Sequence, residues 1–234
     1  MASFLGAGGE MAALDAHLLP LHGSDDSDAP PAPPPVQDTR AWRALHAFCF
    51  LLGGITFCAG TGALLPAPTP ELASLSAALY TLGSAGFLAV DLMELATFTS
   101  PCTLRANILL SALGSACYVG GSVGYFPSVL AVSAAAGAWG FIAGSALIGV
   151  SQVLKLGRIA LAAGAQAAPW DAASAAGVEG GAGAGAWLFL AGTVLSLANP
   201  GDQSGVLLLW GAGSLAFTAG GVSLAWRHFG LGLT

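Results

Sequence analysis

The chain has 234 residues, a formal net charge of −6 and a mean hydropathy of +0.76, with 55% hydrophobic and only 8% charged residues. A soluble domain carries roughly a quarter charged residues, so this supply cannot cover a water-facing surface, and a soluble globular fold is excluded. The chain has no basic patch, which gives nucleic-acid binding no support.

Residues 1–40 form an acidic, proline-rich segment. Six of the twelve acidic residues fall in it, and it contains the proline run 33–35. Such a composition cannot bury enough apolar surface to offset the entropy lost on ordering. We expect a disordered cytoplasmic tail, so the net charge of −6 describes this tail rather than a binding surface.

Six apolar segments of bilayer length follow, which predicts an all-α membrane fold. They cover 42–65, 72–98, 104–126, 129–156, 184–198 and 205–229, with proline or glycine at each break. Short connections pair them into three tandem Gly/Ser-rich helical hairpins, at about 42–98, 104–158 and 184–229. A linker at 159–183 is predicted before the last hairpin, inside a membrane domain spanning 41–231.

The basic residues support this count of six transmembrane helices. All of them fall on one predicted side of the membrane: Arg40, Arg43, Arg105, Lys155, Arg158 and Arg227. The positive-inside rule then places both termini in the cytoplasm. It does not distinguish the plasma membrane from an endomembrane.

The first helix of each hairpin carries the same glycine–aromatic–glycine spacing. The three sets are Gly53, Phe57 and Gly60; Gly114, Tyr118 and Gly121; and Gly185, Phe189 and Gly192. Residues at these offsets share one helix face, and small residues let membrane helices approach closely. We interpret each set as a groove with one aromatic knob, which packs against the second helix of its hairpin.

The second helix of each hairpin carries a Gly-Ser pair at the helix-packing face. The pairs are Gly83 and Ser84, Gly144 and Ser145, and Gly213 and Ser214. Seven residues after each serine stand Asp91, Gln152 and Gly221, so the three hairpins differ at this position. This difference favours a single local site over a symmetric pore.

A candidate polar site consists of Asp91, Glu94, His46 and Arg43. A carboxylate inside a membrane helix costs about 2.5–3.5 kcal/mol at the bilayer centre on insertion scales. Three explanations stay open: pairing with Arg43 or His46 as a structural contact, hydration at the membrane boundary without a special task, or a place in a proton or cation path.

No enzyme signature is present. The sequence has no nucleophile elbow, P-loop, HExxH motif or CxxC spacing. The histidines do not form a spacing that suggests a metal site. We therefore expect no catalytic residues, no metal and no cofactor.

The glycine and aromatic spacings resemble those of the YrhK-like membrane proteins. The matching stretches are residues 52–61, 80–87, 187–193 and 210–217. The resemblance implies a helical hairpin as the building unit, although this chain has three hairpins where the simplest members have one. It implies no established activity.

Two function classes follow. The first is a non-enzymatic multi-pass membrane protein that serves assembly or partner binding, with the lipid bilayer and either a membrane protein or a second copy as partner. The alternative is a small transporter or channel for protons, ions or a small solute, which uses the Asp91 region.

Overall fold

The computed structural model describes residues 35–65, 69–163 and 169–233, and within these ranges the chain forms helices and no strand. Most of the predicted tail, residues 1–34, lies outside the described residues. Its end differs from the prediction, because Val36–Asp38 forms a 3₁₀ turn and the first long helix already begins at Arg40.

Six long helices make up the described chain. They are α1 (Arg40–Gly62), α2 (Pro70–Thr97), α3 (Cys102–Gly124), α4 (Ala136–Ala163), α5 (Pro169–Ala198) and α6 (Gln203–Ala225), and a π-helical turn, Trp226–Gly230, continues α6. Six helices are long and apolar enough to cross a membrane. The predicted fold class of six membrane helices in three tandem hairpins is confirmed, and the chain is a multi-pass membrane protein.

Polar side chains set the N-termini of three helices. Thr39 Oγ1 accepts a hydrogen bond from the Trp42 amide at 3.2 Å, and Thr69 Oγ1 accepts one from the Leu72 amide at 3.3 Å. Asp202 caps α6 in the same way. Such caps satisfy N–H groups that a helix leaves without a partner.

The predicted linker at 159–183 is wrong. Helix α4 continues to Ala163 and α5 begins at Pro169, so the glycine and alanine tract is helical. Glycine weakens an isolated helix in water, but between membrane helices it permits close approach. Gly181 lies against the backbone of Gly220, and Gly183 lies against Gln152. Tertiary packing therefore overrides the local preference.

The start of the fourth helix also differs from the prediction. Residues Pro127–Leu130 form one separate helical turn, and α4 begins at Ala136 rather than at 129. Gly137 lies against the ring of Tyr125 and Gly140 against the backbone of Gly121. These contacts set the level at which α4 meets α3.

The six helices close into a ring. Each packs against its neighbours in the sequence, and α1 packs against α6. An even number of crossings returns the chain to its starting side, where Arg43 Nη1 donates to the Gly232 carbonyl at 2.9 Å. We call this side the termini end, and the opposite side, with the turns after α1, α3 and α5, the hairpin-tip end.

Within each hairpin, glycines of one helix receive a large side chain of the other. In the first hairpin Gly53 lies against Phe87, Gly60 against Tyr80, and Gly83 against Phe57. The corresponding pairs are Gly114–Ile148, Gly121–Phe141 and Gly144–Tyr118 in the second hairpin, and Gly185–Phe217, Gly192–Trp210 and Gly213–Phe189 in the third. The structure thus places all the predicted packing glycines between the two helices of a hairpin.

The axis of the ring is filled by side chains from all six helices. Phe57, Tyr118 and Phe189 are fully buried at its middle, with ring centroids 5.1 to 6.3 Å apart. We call this core the aromatic plug, and its other members are Tyr80, Phe141 and Trp210 toward the hairpin-tip end, and Phe87, Ile148 and Phe217 toward the termini end. Seven residues separate Tyr80 from Phe87, so the plug is about 10 Å thick.

Each of the aligned serines at the plug contacts a side chain of a neighbouring helix. Ser214 Oγ donates to the Trp210 carbonyl one turn back at 2.8 Å, as membrane serines commonly do. Ser214 Oγ also lies 3.3 Å from Thr61 Oγ1 of α1. Ser84 and Ser145 meet side chains of α3: Ser84 Oγ lies 3.1 Å from Ser122 Oγ, and Ser145 Oγ lies 2.7 Å from Tyr118 Oη. These buried hydrogen bonds join neighbouring helices beside the plug.

Candidate functional site

A cavity of about 250 Å³ opens at the termini end of the ring, below the aromatic plug. All six helices line it. Its lining includes, from α1 to α6 in order, His46, Asp91, Ser115, Gln152, Glu179 and Phe217. We call it the termini-end cavity.

The structure brings three of the four predicted polar residues into this cavity. Asp91, Glu94 and His46 all line it, and Asp91 and His46 are 5% and 4% exposed. Arg43 lies outside the lining, where its guanidinium contacts Asp38 at 3.4 Å and the Gly232 carbonyl. Arg43 therefore joins the two ends of the described chain.

The hydrogen-bond partner of Asp91 is a serine rather than Arg43 or His46. Its Oδ2 accepts a hydrogen bond from Ser115 Oγ on α3 at 2.5 Å. His46 instead contacts Glu94, with Nε2 3.4 Å from Oε1. Of the three explanations left open for Asp91, the structure does not support pairing with Arg43 or His46, because α2 turns Asp91 toward α3 and Glu94 toward α1.

A buried lysine joins the acidic residues of two helices. Lys155 Nζ lies 3.4 Å from Glu94 Oε2 and 3.5 Å from Glu179 Oε2, and the lysine is 8% exposed. An isolated charge would not be stable here, since removing it from water costs several kcal/mol, roughly, per ion. The ammonium group therefore holds α2 and α5 together through their carboxylates.

Two histidines close the side of the cavity near the chain ends. His46 Nδ1 lies 3.1 Å from His228 Nε2, and His228 Nδ1 lies 2.9 Å from the Leu233 carbonyl. The indole of Trp42 stacks on His46, with ring centroids 4.4 Å apart. The contact between the two histidines connects α1 to the π-helical turn after α6.

Sequence reasoning missed Lys155, Glu179, His228 and Gln152 as members of the site. Lys155 was used only as one of the basic residues that predict the orientation in the membrane, and Glu179 lies in the predicted linker. A signal was present, because Glu94 and Lys155 both stand ten residues after an aligned serine, Ser84 and Ser145. Opposite charges at equivalent positions of two hairpins indicate a contact across the ring.

A second cavity of about 280 Å³ lies at the hairpin-tip end. It is lined mainly by apolar side chains, with Tyr80 and Trp210 of the plug as its floor and Ser76 and Gln203 among its polar residues. On α1 the order along the helix is Phe50 at the first cavity, Phe57 in the plug and Leu64 at the second. The plug therefore separates two cavities on one axis.

Among the residues that the structure describes, no group of three or more His, Cys, Asp or Glu side chains is arranged to hold a metal ion. No protein-family model, curated protein or solved structure compared with this chain matched it. The resemblance to YrhK-like proteins stays a prediction that the glycine and aromatic spacings carry.

Proposed function

We propose that this multi-pass membrane protein is a non-enzymatic transporter of a small solute, which binds in the termini-end cavity. The observation that carries the proposal is the charged cavity inside the ring, closed on one side by the aromatic plug. Charged groups inside a membrane domain usually mark a substrate or ion path. With both termini in the cytoplasm, as the basic residues predict, this cavity faces the cytoplasm.

The two cavities favour a transporter over an open channel. Phe57, Tyr118 and Phe189 are 0% exposed, so the plug leaves no water path between the cavities. Transporters place the solute site near the middle of the membrane and open it to one side at a time. Passage here requires the plug residues to separate.

The contacts of the packing glycines argue against assembly with another membrane protein as the main role of the chain. Gly53, Gly83, Gly114 and Gly144 all contact the other helix of their own hairpin. They are therefore unavailable for packing a second copy or another membrane protein. The predicted packing motif therefore explains the fold of the chain rather than the binding of a partner.

The test is solute flux into liposomes that contain the purified protein, with a panel of protons, inorganic ions, amines, amino acids and carboxylates. We expect flux of at least one solute, and we expect Asp91→Asn to reduce it at least about tenfold, since a lost charged contact weakens binding by that order. Glu71→Gln is the matched control, because Glu71 is an exposed carboxylate at the other end of α2. It should leave flux unchanged.

Two results would contradict the proposal. One is the absence of flux for the whole panel in vesicles that retain folded protein. The other is flux that Asp91→Asn and Glu71→Gln affect equally. Either result would favour a membrane protein that serves partner binding.

A further inference from the structure

We infer that the termini-end cavity binds a small organic ammonium ion with an apolar body. The identity of the transported solute rests on the proposed function, whereas binding itself is measured without transport. The inference combines the charges that line the cavity, an acceptor that has no hydrogen-bond partner, and the aromatic walls.

The inner part of the cavity holds more carboxylates than cations. Asp91, Glu94 and Glu179 face one ammonium group, that of Lys155, which already contacts Glu94 and Glu179. The two lining arginines stand further out. Arg158 is three residues beyond Lys155 on α4 and interacts electrostatically with Glu179, and Arg227 Nη1 contacts Asp171 Oδ1 at 2.8 Å. Asp91 is the carboxylate of the cavity that contacts a serine rather than a cation.

The deepest polar level of the cavity offers hydrogen-bond acceptors. Asp91 on α2 and Gln152 on α4 stand at equivalent positions, each seven residues after an aligned serine. Gln152 is 4% exposed, lines the cavity, and its Oε1 has no hydrogen-bond partner in the part of the chain that the structure describes. A buried acceptor without a donor is unfavourable, so this level lacks a group that carries N–H donors.

An ammonium group supplies what this level lacks. Its three N–H bonds suit both the Asp91 carboxylate and the Gln152 amide oxygen, which line the same cavity, and its positive charge balances the surplus carboxylate. A carboxylate ligand at this deepest level would instead have to displace Glu94 or Glu179 from Lys155, because the two lining arginines stand further out. A quaternary ammonium ion would leave Gln152 Oε1 without a donor.

The walls of the cavity suit the apolar part of such a ligand. Phe50, Phe87, Phe98 and Trp42 line it. Aromatic faces attract cations and also bury aliphatic carbon. The volume of about 250 Å³ is that of a site for a small molecule.

The test is isothermal titration calorimetry of the full chain in nanodiscs with three probes of equal chain length: n-butylammonium, n-butanol and butyrate. We expect butylammonium to bind at least about tenfold more tightly than the other two. Asp91→Asn and Gln152→Leu should each weaken its binding, and Glu71→Gln should not. Elution as a single peak on size-exclusion chromatography shows that each variant is folded.

The other outcomes overturn the inference. Equal or tighter binding of butanol or butyrate would contradict the ammonium class. Absence of binding for all three probes would do so too, and so would butylammonium binding that neither Asp91→Asn nor Gln152→Leu weakens. Asp91-dependent flux of an anion or a neutral solute would leave the proposed transporter standing while the ammonium class fails.

Discussion

The aromatic plug and the termini-end cavity are built from the same six helices, yet they differ in how the three hairpins contribute. At the plug the hairpins are equivalent: Phe57, Tyr118 and Phe189 occupy one position, each beside a glycine of its partner helix. On the second helices, the residues two turns after the aligned serines are Asp91, Gln152 and Gly221, which differ in charge and polarity. The equivalent region makes the fold, and the region where the hairpins diverge makes the site.

This difference has an energetic basis. At the plug, stability comes from the contact of rings with glycines, which any hairpin of this pattern can provide. In the cavity, Lys155, Glu94 and Glu179 are stable only together, because each charge compensates another. Plug variants should therefore change the free energy of unfolding and the seal of the membrane, whereas Asp91 variants should change binding.

The largest expected effect is that of Phe57→Ala. Removal of a fully buried ring at the centre of the plug should lower the free energy of unfolding by about 3–5 kcal/mol. It should also let protons leak through liposomes. Phe48→Ala is the control on the same helix, because Phe48 is 60% exposed and should show neither effect. Tight vesicles with stable Phe57→Ala protein would show that neither the seal of the axis nor the stability of the fold depends on the Phe57 ring.

Lys155→Met tests whether the charges of the cavity hold one another. It leaves two half-buried carboxylates without their ammonium partner, and breaking a fully buried pair costs about 3–5 kcal/mol, which is the upper bound here. The melting temperature measured by intrinsic fluorescence should fall strongly. Arg105→Gln serves as the control, since Arg105 is an exposed cation at the same end of the bundle. Similar melting temperatures for the two variants would mean that the cluster contributes nothing to stability.

A smaller effect is expected for Gly121→Ala. The added Cβ would lie 2.8 Å from the Phe141 ring and 2.9 Å from its amide nitrogen, and overpacking of this kind costs about 1–3 kcal/mol. Gly120→Ala is a control one residue away, because a Cβ there meets nothing within 4 Å. We expect a lower melting temperature for Gly121→Ala and an unchanged one for Gly120→Ala. Equal melting of the two variants would refute close packing of α3 on α4.

The smallest effect is expected for Tyr80→Phe. Tyr80 Oη lies 2.7 Å from Thr61 Oγ1, and loss of this buried hydrogen bond should cost about 0.5–1.5 kcal/mol. Tyr125→Phe provides the comparison, because Tyr125 Oη is buried and has no hydrogen-bond partner among the described residues. Denaturant unfolding in mild detergent measures both. A larger loss for Tyr125→Phe would reverse our assignment of the two hydroxyl groups.

Sequence alone determined the number of long helices and their pairing into hairpins. Helix number follows from apolar length against bilayer thickness, and the glycine–aromatic spacing around Phe57 predicts which faces pack, because both are properties of one helix or one hairpin. The predicted linker at 159–183 failed for a related reason: helix propensity is local, whereas Gly181 is helical because the backbone of Gly220 lies against it.

The closure of the ring was decided only by the tertiary structure. Lys155 meets Glu94 across the ring axis and Glu179 on the next hairpin, which are 61 and 24 residues away in the sequence. Contact between helices of different hairpins depends on how three separate units pack around an axis, and no periodicity within one helix encodes it. The sequence therefore placed the carboxylate of Asp91 at one level of the membrane, and the tertiary structure decided that a cavity surrounds it.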